Sequence, residues 1–288
     1  MKIVEFTLEQ GNKYFGKIDD TRFFIGNRTS FEGGKGLMNI VGNAQQRYNR
    51  EEFRDTFGFW ADFIHPTAMV EGALYHTLNT YDSARFTFTF LQYAAHVPNG
   101  DFVVYFRALL QLPLATEYFP DLKLVNNRIC RISDNGTATP LESDMSTAGL
   151  MNYLNPSRHQ VEDTEVIQAA KFVHWSQNDP LHRQKQIEMG ISHFKENMVN
   201  YANRYELDGV LDTICLVVAD IRHQGRANSA TIITALQSSH PLERLLAIGE
   251  QAYPARIATL RREIKKLTDE GTLGTHVYSL EQRDFVDD

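Results

Sequence analysis

From Glu162 to Thr268 the chain reads as helix after helix, and one segment is apolar on nearly every face. Between Asp208 and Ile221, Val210, Leu211, Ile214, Cys215, Leu216, Val217, Val218 and Ala219 leave no polar stripe. A helix with no wet side is a buried one, so the rest of the chain has to build a shell around it. The helices expected to do so run from about Glu162 to Ser176, from Pro180 to about Tyr205, from Asn228 to Leu236, from Pro241 to Gln251 and from Ala255 to Thr268. Asp179 offers a cap and Pro180 a first-turn proline, whose missing N–H costs little at that position. Arg261, Arg262, Lys265 and Lys266 give the last helix a solvated face.

The first half is more varied. Val4–Leu8 and Arg22–Ile25 read as short strands, and Phe31–Gly36 as a loop. Residues 1–50 are taken as a β-rich lead-in, residues 51–268 as the main domain and residues 269–288 as a polar tail. So short a lead-in buries little core alone. Its glycines match neither G-x-x-x-x-G-K-[ST] nor G-x-G-x-x-G, which argues against a phosphate loop. A helix is expected from Pro66 to Thr77, with Pro66 near its start and Glu71 late in it. Tyr81-Asp82 follows, and then Phe86, Phe88 and Phe90 alternate with Arg85, Thr87 and Thr89, the period of a strand. A further helix is expected over Asp101–Leu112, and a hairpin over Leu122–Ile132 turning at Asn126-Asn127, since Asn tolerates positive φ.

Composition narrows the function. With 288 residues, 42% of them hydrophobic, the chain has enough material for a substantial core. A net charge of −7 disfavours nucleic acid as a partner, because that affinity rests on Lys and Arg neutralising phosphates. No run of ~18 uncharged apolar residues is present, so no membrane span is expected. Met1–Glu5 lacks the basic-then-apolar start of a signal peptide; synthesis in the cytoplasm is expected, with another route to any site outside it. The two cysteines, Cys130 and Cys215, imply neither a disulfide framework nor a zinc site. His65, His96, His174, His182 and His193 fall on different elements without H-E-x-x-H spacing, so no metal is expected. Ser146-Thr147 lacks a G-x-S-x-G elbow, and Trp60 and Trp175 read as core.

The residues that can carry chemistry begin with Glu71. Glycoside hydrolysis needs a general acid at the leaving oxygen and, in most enzymes, a second carboxylate. Apolar surroundings suit a glutamic acid to the first role, and Phe63, Ile64, Met69, Val70 and Leu74 are available to supply them. Asp82 stands eleven residues on and Thr87 five beyond that; a carboxylate and a hydroxyl so placed can orient water. A lone Glu on a helix is more often a surface residue, and Asp82 also fits a turn or cap. Tyr75, Asn79 and Tyr81 flank the acid with rings and an amide suited to sugars. Asp220, Arg222 and His223 end the apolar helix. They are either a C-terminal turn, with basic residues on the helix dipole and Gly225 as the stop, or a cleft wall that contacts sugar hydroxyls or peptide carboxylates.

The stretch Glu71–Gln92 resembles the catalytic region of the lysozyme-like superfamily, in which a helix ends near an acid Glu and a hairpin with an Asp and a Thr-containing strand follows. Thr87-Phe88-Thr89-Phe90-Leu91-Gln92 is similar to that strand, with Thr89 where many members have Gly. The step from Asp82 to Thr87 and the loop Ala95–Asp101, which carries His96, are similar to the chitosanases. The resemblance covers about thirty residues. It implies an α+β, mainly helical, bilobal lysozyme-like fold with a small β-hairpin region, cleavage of β-1,4 bonds between amino sugars, and no cofactor. It maps Glu71 to the general acid, Asp82 to the base or water-positioning carboxylate and Thr87 to the water-binding hydroxyl. The expected substrate contacts are Tyr75, Asn79, Tyr81, Gln92, His96, Asp220, Arg222 and His223. A muramidase acting on peptidoglycan is the first reading, with inversion or retention following the carboxylate separation. It would be delivered by a phage or a secretion system, with an immunity protein as partner if it is an effector. A chitosanase is the nearest alternative, and a non-catalytic wall-binding or structural module the alternative of another class.

Overall fold

The computed structural model describes the whole chain, Met1–Asp288. It divides into two compact units. The first comprises Met1–Arg47 and Leu74–Met189, the second Tyr48–Ala73 and Gly190–Asp288.

In the first unit, β1 (Glu5–Glu9), β2 (Lys13–Ile18), β3 (Thr21–Phe31) and β4 (Gly34–Asn39) pair in succession. The short strands β5 (Leu78–Asn79), β6 (Thr87–Phe88) and β7 (Tyr93–Ala94) extend the same antiparallel sheet, through Met38 opposite Asn79 and Asn39 opposite Leu78. Asp19-Asp20 and Glu32-Gly33 form two-residue turns with positive φ at both positions, the geometry whose twist matches that of the flanking strands. This sheet corrects the expected fold. The chain is α+β, but a seven-stranded antiparallel sheet stands where a bilobal lysozyme-like fold with a small hairpin region was expected. The physical reason lies in residues 1–50. Their polar, glycine-rich stretches are tight turns between paired strands, and the segment adds four strands to the three short ones. Phe31–Gly36, expected as a loop, is the end of β3, a turn and the start of β4.

The helices α3 (Asp101–Leu109), α4 (Ala115–Tyr118), α5 (Ala148–Leu154) and α6 (Asp163–Asn178) complete this unit, with the hairpin β8 (Leu122–Val125) and β9 (Arg128–Ile132) and the strand β10 (Ala138–Pro140) beside β9. Asn126 and Asn127 have positive φ at the β8–β9 turn, as expected. α6 packs on β2 and β3. Its Phe172 ring lies between 5.0 and 5.8 Å from those of Phe86, Phe88, Phe102, Phe106 and Phe119. Thr87 and Thr89 are buried too, so the alternation of residues 85–90 marks no solvent face, and only Thr87–Phe88 pairs as strand. Two glycines set the loop after β5: a Cβ at Gly36 would lie 2.6 Å from the Thr80 carbonyl carbon, and one at Gly34 would run into the Tyr81 oxygen.

The division between the units falls within α7 (Pro180–Tyr205). The second unit holds α1 (Arg54–Phe57), α2 (Phe59–Val70), α8 (Asp212–Gln224), α9 (Ser229–Leu236), α10 (Pro241–Leu246), α11 (Pro254–Asp269) and the hairpin β11 (His276–Ser279) and β12 (Asp284–Asp287). α8 is the buried helix, touched by α2, α10 and β11. α2 begins earlier than expected. Gly58, at φ 55°, starts it, Pro66 lies inside it, and Glu71 is its C-cap. Packing against α8 and α11 retains an interior proline that an exposed helix would tolerate poorly. Within residues 269–288, expected as a polar tail, β11 and β12 pair, with Phe285 against Phe63 at 4.8 Å between ring centroids. Cys130 and Cys215 are both buried and unbridged.

Candidate functional site

Four charged side chains of the second unit form one alternating chain. Glu71 ends α2, and its Oε1 accepts from an Arg256 terminal nitrogen. The other terminal nitrogen of Arg256, from the first turn of α11, donates to Asp220 Oδ1 at 2.8 Å. Asp220 Oδ2 accepts from Arg226 at 2.7 Å, and Arg226 Nε also donates to the Ile248 carbonyl at 3.2 Å. Asp220 has no exposed side-chain surface and Arg226 almost none, whereas Glu71 keeps 17% of its side-chain surface in solvent. The chain therefore runs from the interior outward and ends on a half-buried carboxylate.

Two carboxylates and two guanidinium groups balance in charge, which is how buried charges persist. Burial works against the Arg256 charge, but Asp220 and Glu71 outweigh it and raise its pKa. Burial lowers the pKa of Arg226 despite Asp220. His223, one turn beyond Asp220 on α8, is lowered by burial, against the upward pull of Glu71 and Asp220; its ring lies 5.7 Å from that of Phe194. Because replacing a buried ion pair by apolar residues is often neutral or stabilising, the network is better read as fixing the position of a carboxylate than as a source of stability.

Of the expected site residues, Glu71, Asp220 and His223 belong to this cluster. Arg222 stands on the same helix but lines a depression with Tyr201 instead. The others lie in the first unit, so neither unit holds Glu71, Asp82 and Thr87 together. Asp82 accepts from Asn79 Nδ2 at 2.8 Å and from the Ala84 N–H at 2.9 Å, while Asn79 Oδ1 accepts from the Tyr81 N–H at 3.1 Å. Both Asp82 oxygens thus shape their own loop. The Tyr81 ring meets Phe31 at 6.3 Å. Thr87 is buried in β6, Tyr75 is buried with its carbonyl accepting from Gln186, and Gln92 and His96 are exposed.

Sequence reasoning missed Arg256 and Arg226 as the partners of the two acids. One signal was present: Arg256 stands four residues before Leu260, along the edge of the stripe Ile257, Leu260, Ile264 and Leu267 that α11 buries. It also missed Glu165. This carboxyl is fully buried in the first unit, with Oε1 on the Thr80 hydroxyl and Oε2 without a partner; burial pushes its pKa up to about 8, against the Thr80 hydrogen bond. No group of three or more His, Cys, Asp or Glu side chains is placed to hold a metal ion, and no helix is long and apolar enough to cross a membrane. Comparison with family models, with curated proteins and with solved structures gives no match.

Proposed function

We propose that this protein is a glycoside hydrolase that cuts the amino-sugar backbone of peptidoglycan, with Glu71 as the proton donor. The observation that carries the reading is the charge chain Glu71–Arg256–Asp220–Arg226, which ends a buried network on one partly accessible carboxylate. Catalytic groups need to be held in place before substrate arrives, and here Arg256 holds one oxygen of Glu71 while sharing its own charge with Asp220. In the proposed step Glu71 delivers a proton to the bridging oxygen. The bond from that oxygen to the anomeric carbon breaks, its electron pair staying on the oxygen, and water adds to the carbon and returns a proton to Glu71. Arg256 is a positioning residue in this scheme.

The test is mass spectrometry of fragments released from purified sacculi. Wild type is expected to release products with new reducing ends, and Glu71→Gln none while its melting temperature is kept. Arg256→Ala is expected to lower kcat far more than it changes KM, as loss of orientation does. Full cleavage by Glu71→Gln would remove Glu71 as the proton donor, and binding of sacculi by wild type without release of reducing ends would remove the enzyme reading.

A further inference from the structure

Two depressions in the second unit share one wall residue, Arg204. The first, of about 540 Å³, is lined by Asn197, Asn200, Tyr201, Asn203, Arg204 and Arg222. The second, of about 330 Å³, runs from Arg204 onto the apolar side chains of Leu207, Val210, Ile233 and Leu236. The smaller volume is already within the size range of small-molecule sites. The first holds two guanidinium groups and no carboxylate, and Glu206, in the second, is the one acid in either lining.

The hydrogen-bonding chemistry of the first depression is one-sided. Asn197, Asn200 and Asn203 each donate their amide nitrogen to the carbonyl one turn back on α7, at 2.9, 3.3 and 2.8 Å. Each of these bonds takes up one of the two hydrogens on the amide nitrogen. The charged donors of this lining are the two arginines. Arg222 Nε is buried and has no hydrogen-bond partner, which is uncommon for a buried charged donor, and Arg222 lines this depression together with Tyr201. A planar guanidinium matches a carboxylate. The adjoining apolar compartment suits short aliphatic side chains, and Arg204 joins the two.

We propose that this groove binds the peptide stem of peptidoglycan, with a stem carboxylate against Arg222 and Arg204 and alanine methyl groups in the apolar compartment. The proposal rests on the glycoside hydrolase reading and sharpens it. Chitosan carries no stem and no carboxylate, and two guanidinium groups repel its ammonium groups, so the groove selects peptidoglycan over chitosan.

The experiment has two arms on the full chain. In the first, a free anionic stem tetrapeptide containing alanine is titrated by calorimetry into wild type, Arg222→Gln, Arg222→Lys and Arg204→Gln. Wild type is expected to bind saturably. Arg222→Gln should weaken binding about tenfold or more, the usual cost of a lost charge-assisted contact, with part of the loss regained in Arg222→Lys. Arg204 is exposed, so Arg204→Gln keeps the test open if Arg222→Gln is poorly folded. In the second arm, hydrolysis of intact peptidoglycan is compared with hydrolysis of strands stripped of their stems by an amidase. The ratio of the two rates is expected to exceed one in wild type and to fall towards one in Arg222→Gln. No tetrapeptide binding, or equal binding by wild type and both glutamine variants, overturns the groove. Cleavage of both glycans at equal rates without tetrapeptide binding removes the groove and leaves the enzyme. Arginine-dependent binding with neither glycan cut removes the enzyme and leaves the groove.

Discussion

Glu165 gives the first unit a dependence on pH that can be worked out from its surroundings. Its carboxyl has no exposed surface. Oε1 meets the Thr80 hydroxyl, which also accepts from the Leu37 N–H at 2.6 Å, and Oε2 has no partner. The protonated acid is well served: it donates to the Thr80 oxygen, and the Thr80 proton turns to the Leu37 carbonyl at 3.4 Å. The ionised acid is poorly served, since its second oxygen finds no donor. Burial accordingly raises its pKa from 4.5 to about 8. Between these two values the unfolded chain has lost the proton and the folded chain has kept it, so stability falls as pH rises. The contribution is fully present below pH 4.5 and is lost as pH climbs through 8. The window is 8 − 4.5 = 3.5 units wide, which at ~1.36 kcal/mol per unit is about 5 kcal/mol. Glu165→Gln keeps the size of the side chain and cannot ionise. Urea unfolding of wild type and variant is to be compared at half-unit steps from pH 5 to pH 8.5. Relative to the variant, wild type is expected to lose about 4 kcal/mol between pH 5 and pH 8. Parallel stability curves for the two proteins would refute the reasoning, because they would mean that Glu165 ionises alike in both states.

Three further outcomes follow from packing and charge. Asp220→Ala leaves the guanidinium of Arg226, 1% exposed, without its carboxylate; denaturant unfolding should show a loss of about 3–5 kcal/mol, and a loss below ~1 kcal/mol would mean that water reaches Arg226. Phe172→Ala removes the ring that five others surround, and calorimetry should register a loss of about 3–5 kcal/mol. Gly36→Ala drives a methyl group against the Thr80 backbone; a thermal-shift assay should register about 1–3 kcal/mol of overpacking, and an unchanged melting temperature would mean that β4 yields freely.

Much of the fold was legible where one local rule governed the outcome. α8 declares itself by its lack of a polar face, the β8–β9 turn by Asn126-Asn127, and α9 by Asn228, which caps it by accepting from the Thr231 N–H at 3.0 Å. The start of α2 was misread because proline marks a helix start only on average. Here tertiary packing overrides that preference and the conformation of Gly58 sets the boundary instead. The seven-stranded sheet was hidden for a different reason. β1 to β4 carry glycines and charged residues in half-exposed positions, and their pairing is fixed by turns that look like loop in composition. The alternation of residues 85–90 misled in the opposite sense. It signals a strand with one wet face, yet the threonines are buried along with the phenylalanines, and only Thr87–Phe88 of that segment is strand.

The candidate site was half legible, and the missing half has a single physical cause. Glu71, Asp220 and His223 could be named because each ends an apolar run, and a charged group at such a place invites a question. Their partners could not be found the same way. Arg256 is 185 residues from Glu71 and 36 from Asp220, on a helix whose four other basic residues face water. Periodicity reports which side chains leave solvent; it does not report which charge meets which. What identifies Arg256 is neutrality. Once Asp220 is known to be wholly buried, a cation is required beside it, and Arg226 alone would close the account within the interior. Arg256 exceeds that requirement. Its second fork carries the network to Glu71, where a guanidinium is not needed to neutralise a buried charge but does fix where a partly accessible carboxylate points. A network built only to keep Asp220 neutral would stop at Arg226, and its continuation to Glu71 is the reason for placing the chemistry there.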